Sequence, residues 1–380
     1  MATPLLPSPL SNIVMIIVGC VFIYLAVKKE YEPLLLIPIG FGAILVNIPA
    51  LIPFAGFQGL MSKGGFLWYL YKYGVLSDLF PCLLFIGIGA MMDFGALIER
   101  PWFLIFAAAG QLGIFVAMLC ALAVGFNPYE ASSIGIIGAM DGPTAIYVTT
   151  KFAPNLLGPV TVCAYSYMSL VPLLQIPLSK ILTTRKERLI RMEYKPQAYP
   201  KTIRIIFPIA VTIITCTVAP MGAPLMGSLM LGNLLKESGV VRRLAKSAEN
   251  EIANVTTLLL GVVIGGTMQA EHFLVLDTLI VFGLGLVAFV SAIASGILFA
   301  KLVCFITKGK VNPLIGACGV SAFPMAARTA HRIGREEDSN NWLLPHAMAI
   351  NVGGQIGSVV AGGVVLTYAY TVMQMLGLTP

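Results

Sequence analysis

Gly135-Ile136-Ile137-Gly138-Ala139-Met140-Asp141-Gly142-Pro143-Thr144 sets one carboxylate at the end of an apolar, glycine-spaced run and a backbone breaker directly behind it. Glycine costs about 1 kcal/mol inside a helix and proline about 3 kcal/mol, so no regular helix passes through Gly142-Pro143. The break frees carbonyl oxygens. At membrane depth these are tolerated only where they line a cavity. A bare carboxylate in apolar surroundings costs several kcal/mol, so Asp141 is expected to be protonated or to hold a cation. The competing reading is a structural hydrogen bond to a neighbouring helix.

The rest of the chain sets that depth. Of its 380 residues, 58% are hydrophobic and 11% charged, and the mean hydropathy is +0.89. A soluble domain carries about 25% charged residues, so this chain has too little polar surface to face water all round. Apolar runs fall at 12–27, 33–54, 75–97, 102–125, 157–179, 205–235, 254–269, 273–307 and 342–372, against roughly 20 residues needed to span a bilayer. The run from Ile13 to Val27 has no basic residue before it and reads as a retained first span rather than a signal peptide. The fold class expected is an all-α integral membrane protein, a polytopic helical bundle with discontinuous or re-entrant segments. One membrane domain covers 1–380: N-terminal spans over 12–125, a first half with Asp141 over 126–180, a basic loop over 181–204, and a second half over 205–380.

Charge orients the bundle. Between Lys180 and Arg204 lie eight basic residues and only two acids, Glu187 and Glu193, within a net charge of +7. Between two spans such a run marks the cytoplasmic side rather than nucleic-acid binding. Lys28-Lys29 then puts the N-terminus outside. The count of crossings closes only if 132–151 enters and returns without crossing. A second Gly/Ser/Pro-rich stretch, 311–328, is similar to the first. With Pro143 opposite Pro324, Gly135 and Gly138 fall opposite Gly316 and Gly319, and Ala145 opposite Ala326. Two broken segments entering from opposite sides suggest an inverted repeat with a site where they meet.

Further oxygen ligands for a hard monovalent cation are Asn312 and Ser321 in the second stretch and Asn351 in the last run; each can equally be a helix–helix hydrogen bond. Tyr165 and Tyr167 start a span, where interfacial aromatics are common. Arg328 either snorkels to the cytoplasmic interface or binds an anionic group in a bidentate fork. The 222–250 stretch is another small-residue segment, lining the pore or belonging to the scaffold. Seven scattered cysteines and three dispersed histidines form no zinc or disulfide pattern.

Gly-Ala-Met-Asp141-Gly-Pro-Thr-Ala145, the Tyr-Ser-Tyr167 run, Asn312-Pro-Leu-Ile-Gly316 through Arg328, and His346-Ala-Met-Ala-Ile-Asn351 through Ser358 together resemble the β subunits of biotin-dependent sodium-translocating decarboxylases. The resemblance runs from about residue 70 to the C-terminus. Some members carry Gly where this chain has Ala139 or Met140. It implies a subunit of the bacterial inner membrane that decarboxylates carboxybiotin, exports Na⁺ and consumes a proton. Biotin would arrive on a partner, and no Met-Lys-Met attachment motif occurs here. The partners implied are a cytoplasmic carboxyltransferase, a biotin carrier, a small membrane-anchoring subunit and further copies of this chain. Carried over by motif, Asp141, Asn312, Ser321 and Asn351 would bind Na⁺, Tyr167 and Arg328 would serve the ion or carboxybiotin chemistry, and Gly316 the broken backbone. The rival reading is a secondary transporter, a Na⁺/H⁺ antiporter or organic-anion symporter, without a chemical step.

Overall fold

Among the described residues, five helices are long and apolar enough to cross a bilayer: Leu10–Lys29, Pro101–Val124, Lys201–Val218, Leu276–Ile306 and Leu344–Ala369. Two bent pairs, Phe66–Val75 with Leu79–Met91 and Pro154–Met168 with Val171–Leu182, bring the number to seven. The computed structural model describes residues 9–30, 33–49, 59–194, 199–369 and 371, and among them there is no strand. Residues 50–54 of the second apolar run, Lys195 of the basic loop and residues 370 and 372 of the last run lie outside the described residues.

Most apolar runs become helices where the sequence places them, although the 75–97 and 157–179 runs fall in the two bent pairs, and the 205–235 run is not one helix. It divides into Lys201–Val218 and Ala223–Ser238 around a turn at Pro220–Gly222, because Pro220, Gly222 and Pro224 cannot sustain one helix. The second of these helices packs along Leu79–Met91, and Asn233 Nδ2 donates to the Met92 carbonyl at 3.3 Å. Within the 222–250 region, Ala223–Ser238 thus packs against the Leu79–Met91 helix.

Both broken stretches are hairpins. In the first, Pro128–Gly135 is started by an Asn127/Glu130 capping box and tightens into a 3-10 turn over Ile136–Ala139. The chain then reverses through Met140, at φ +55°, and Asp141 caps the returning helix Gly142–Phe152. Asn155 Nδ2 donates to Glu130 Oε1 at 3.0 Å, so the hairpin enters and leaves at one end of the molecule. In the second, a 3-10 turn over Pro313–Cys318 runs to the break and Met325–Glu337 returns. Its two ends are held at the opposite, basic end: Asn312 and Asn341 both donate from Nδ2 to the Arg188 carbonyl at 3.0 Å. Nearby, Arg188 pairs with Glu337 at 2.7 Å and Arg191 with Asp338 at 2.6 Å.

Small residues let the hairpins reach the middle. A Cβ on Gly316 would lie 2.6 Å from Ala300 Cβ and collide with the Gly296 carbonyl; one on Gly319 would collide with the Phe106 carbonyl. Only glycine permits these approaches to the Leu276–Ile306 and Leu104–Gly110 helices. At the tips the hairpins bond directly, the Ser321 amide donating to the Ala139 carbonyl at 3.2 Å.

Candidate cation site

Asp141 lies where the two breaks meet, 3% exposed. Its position follows from local chain chemistry. As N-cap of Gly142–Phe152 its side chain accepts from the Thr144 amide at 3.4 Å, and the positive end of that helix favours the carboxylate. Oδ2 collects three neutral donors: Thr144 Oγ1 at 2.8 Å, Gln355 Nε2 at 2.9 Å and Ser358 Oγ at 2.6 Å. No ion pair involves Asp141 among the described residues. Neutral donors soften the burial of a carboxylate and leave its charge uncancelled.

The same three side chains can serve a cation. Rotating the Thr144 and Ser358 hydroxyl hydrogens turns a lone pair inward, and an amide flip at Gln355 presents Oε1 in place of Nε2. One carboxylate with neutral oxygens suits a small hard monovalent cation. No group of three or more His, Cys, Asp or Glu side chains able to hold a metal exists among the described residues.

Two of the sequence-assigned ligands stand beside this cluster. Asn351 is buried; Nδ2 donates to the Val320 carbonyl at 2.6 Å while Oδ1 has no hydrogen-bond partner among the described residues. Ser321 Oγ donates to the Gly354 carbonyl at 2.9 Å. Asn312 is elsewhere: besides its bonds to the basic loop, its Oδ1 accepts from the Leu314 amide at 3.0 Å. It fastens the base of a hairpin whose tip holds Ser321. Tyr167 Oη donates to the Phe282 carbonyl at 2.6 Å, with its ring between Phe282 and Phe289. Buried Tyr165, rather than Tyr167, leaves no room for a Cβ on Gly142 beside Asp141. Arg328 is exposed, on the first turn of Met325–Glu337.

Gln111, Thr144, Gln355 and Ser358 received no role from sequence reasoning. Gln355 and Ser358 follow Asn351 at i+4 and i+7, one face of one helix, a signal that was present. Gln111 had none. It sits at the one-residue interruption between Leu104–Gly110 and Leu112–Val124, donating from Nε2 to the Gly319 carbonyl at 3.2 Å, and its buried Oε1 has no partner among the described residues.

A cavity of about 590 Å³ opens toward the basic end, between Asp93, Glu99, Tyr194 and Arg204 at the rim and Phe323, Met348 and Val352, which border the second break and the Asn351 helix. Arg328 is not among its lining residues.

The profile of the family described as the Na⁺-transporting oxaloacetate decarboxylase beta subunit matches residues 11–369. The chain is 46% identical to the methylmalonyl-CoA decarboxylase subunit beta of Propionigenium modestum, over 94% of this chain and 95% of the relative. It is 48% identical to the glutaconyl-CoA decarboxylase subunit beta of Acidaminococcus fermentans, over 93% and 92%, and 40% identical to the oxaloacetate decarboxylase beta chain of Klebsiella pneumoniae, over 93% and 94%.

Proposed function

Because the chain belongs to the family of Na⁺-transporting oxaloacetate decarboxylase beta subunits, we propose that Asp141 is where it couples Na⁺ export to the decarboxylation of carboxybiotin. The protein is the membrane subunit of a multi-subunit, biotin-dependent decarboxylase, and Na⁺ is its cargo. Family membership favours this over a secondary transporter.

One observation supports the site assignment above the others: a buried carboxylate, ringed by Thr144, Gln355 and Ser358, at the crossing of two opposed hairpins. Na⁺ and H⁺ compete for those oxygens. Each exchange changes the charge of a low-dielectric centre and biases which face of the membrane it meets. The opposed hairpins, with the matching glycines of 135–145 and 316–326, support an inverted repeat and a site that alternates between the two faces.

Carboxybiotin, brought by a partner's biotin carrier, loses CO₂ as its C–N bond breaks and the ureido nitrogen takes up a proton. The apolar Phe323, Met348 and Val352 of the basic-end cavity suit the ring of that group. Arg204 also lines the cavity, but it pairs with Glu237 at 2.5 Å. Arg328, free of ion pairs among the described residues and solvent-exposed, supplies an anion-binding fork at the approach to the break. Tyr167 positions the break through Phe282 and Phe289. Ser321 and Asn351 complete the cation shell. Asn312 bears on it only through the hairpin.

The basic end faces the cytoplasm of the bacterial inner membrane, where the carboxyltransferase docks, and the N-terminus lies outside. The small anchoring subunit and further copies of this chain complete the assembly.

Purified complex should show avidin-sensitive decarboxylation stimulated by Na⁺. Asp141→Asn should abolish the stimulation while the complex still assembles. Ordinary Na⁺ activation in that variant would remove Asp141 from the mechanism.

A further inference from the structure

At the end opposite the basic loops, a cavity of about 630 Å³ opens between the Pro154–Pro159 connector, the segment from Thr267 to His272 and the start of the Leu276–Ile306 helix. Glu271 and Asp277 line it together with His272, whose Nε2 stands 3.6 Å from Glu271 Oε1, and no lysine or arginine does so among the described residues. Thr278, one residue beyond Asp277, also lines it; it is 3% exposed and its Oγ1 has no hydrogen-bond partner among the described residues. A buried hydroxyl left unmatched carries an uncompensated desolvation penalty, and its lone pairs are what a cation can use.

The floor of the cavity leads inward. Leu157 and Gly158, both lining residues, begin the Leu157–Ser169 helix. One turn down it stands Thr161, fully buried, its Oγ1 also without a partner among the described residues. A further turn down is Tyr165, packed at Gly142 next to Asp141. At 1.5 Å per residue, Leu157 to Tyr165 is about 12 Å. The vestibule and the buried carboxylate are thus separated by about two turns of a helix that carries an unmatched hydroxyl midway.

We propose that this cavity is a cation-selective vestibule, in which hydrated Na⁺ leaving the Asp141 site is held by Glu271, Asp277 and Thr278 before it exits the protein. The inference rests on the Na⁺-transport reading. A cleft walled by one sign of charge concentrates counter-ions by about tenfold or more.

The test uses the intact complex carrying Gln269→Cys, with Asn155→Cys as a second reporter in the same cavity should the first fail to assemble. Labelling by trimethylammonium-ethyl methanethiosulfonate is compared with labelling by the sulfonatoethyl reagent. Each rate is divided by that on a free thiol and corrected for the parent's own cysteines. The cationic reagent should be favoured about tenfold, and the preference should fall toward one when Glu271→Gln and Asp277→Asn are added. An assembled reporter that labels without charge preference, or whose preference survives the double substitution, overturns the proposal. Na⁺ activation of decarboxylation is measured on the same parent preparation. Its absence there would sink the transport reading, while the labelling ratio would still report on the cavity.

Discussion

Asp141 differs from the other acidic residues in how it is held. Three side chains converge on one of its oxygens, and they come from two segments more than 200 positions apart in the chain. Of these, Ser358 gives the clearest measurement. A hydrogen bond to a charged group is worth about 1.5–3 kcal/mol, and 1.4 kcal/mol is a factor of ten. Ser358→Ala should therefore raise the Na⁺ concentration for half-maximal decarboxylation about tenfold or more, with little loss of maximal rate. An unchanged Na⁺ requirement would show that Ser358 only orients the helix. Asn312 predicts the reverse. Its two donor bonds hold Arg188 and Ile190 carbonyls at the basic end, so Asn312→Ala should lower the thermal midpoint of the complex. The Na⁺ requirement of whatever remains folded should stay within about twofold, well under the tenfold shift that losing a ligand produces. A tenfold shift would restore Asn312 to the cation shell.

Each hairpin depends on missing side chains. Gly319 sits against the backbone at Phe106 and Gly110, so any Cβ there must push the second break away from the Leu104–Gly110 helix. Overpacking of this kind costs about 1–3 kcal/mol, or more where backbone is the obstacle. Gly319→Val should therefore loosen the Ser321–Ala139 bond between the hairpins and uncouple decarboxylation from Na⁺ uptake in proteoliposomes. Normal coupling with a wild-type melting temperature would mean that the tips are pliable. The break at Asp141 is held differently, by a reversal at Met140 and a capped helix start, and so is set largely by its own residues.

Across the molecule, the second hairpin is secured at the basic end by charge. Hydrogen bonding from Arg188 lowers the Glu337 carboxyl below its ordinary range, and hydrogen bonding from Arg191 does the same for Asp338. A carboxylate depressed in the folded state contributes stability above its unfolded pKa and loses it as pH falls through the folded value. Amide exchange over residues 325–341 should accordingly rise as pH is lowered from about 5 to about 3, through and below the ordinary carboxylate range, once intrinsic exchange is corrected for. Arg188→Gln with Arg191→Gln should flatten that dependence. A profile that stays steep in the double variant would place the acid sensitivity elsewhere. The cation site itself lies far from these charges, among neutral donors.

Periodicity and composition were enough to read a polytopic helical bundle, because spans are written in consecutive residues and each lacks the charge to sit in water. Two broken segments and the isolation of Asp141 were equally legible, since Gly142-Pro143 and the carboxylate are neighbours in the chain. The turn at Pro220–Gly222 was also written locally, in Pro220, Gly222 and Pro224, yet the hydropathy of 205–235 hid it. The shell around the carboxylate was not legible, because hydrogen bonds are made by atoms near in space. Gln111 meets the second break only across the fold, at Gly319, 208 positions away in the chain. Asn312 shares a motif with Ser321 but is carried to the far end of the hairpin by the 3-10 turn between them. Local rules give the chain its breaks; long-range packing of glycine against backbone fixes which oxygens meet there.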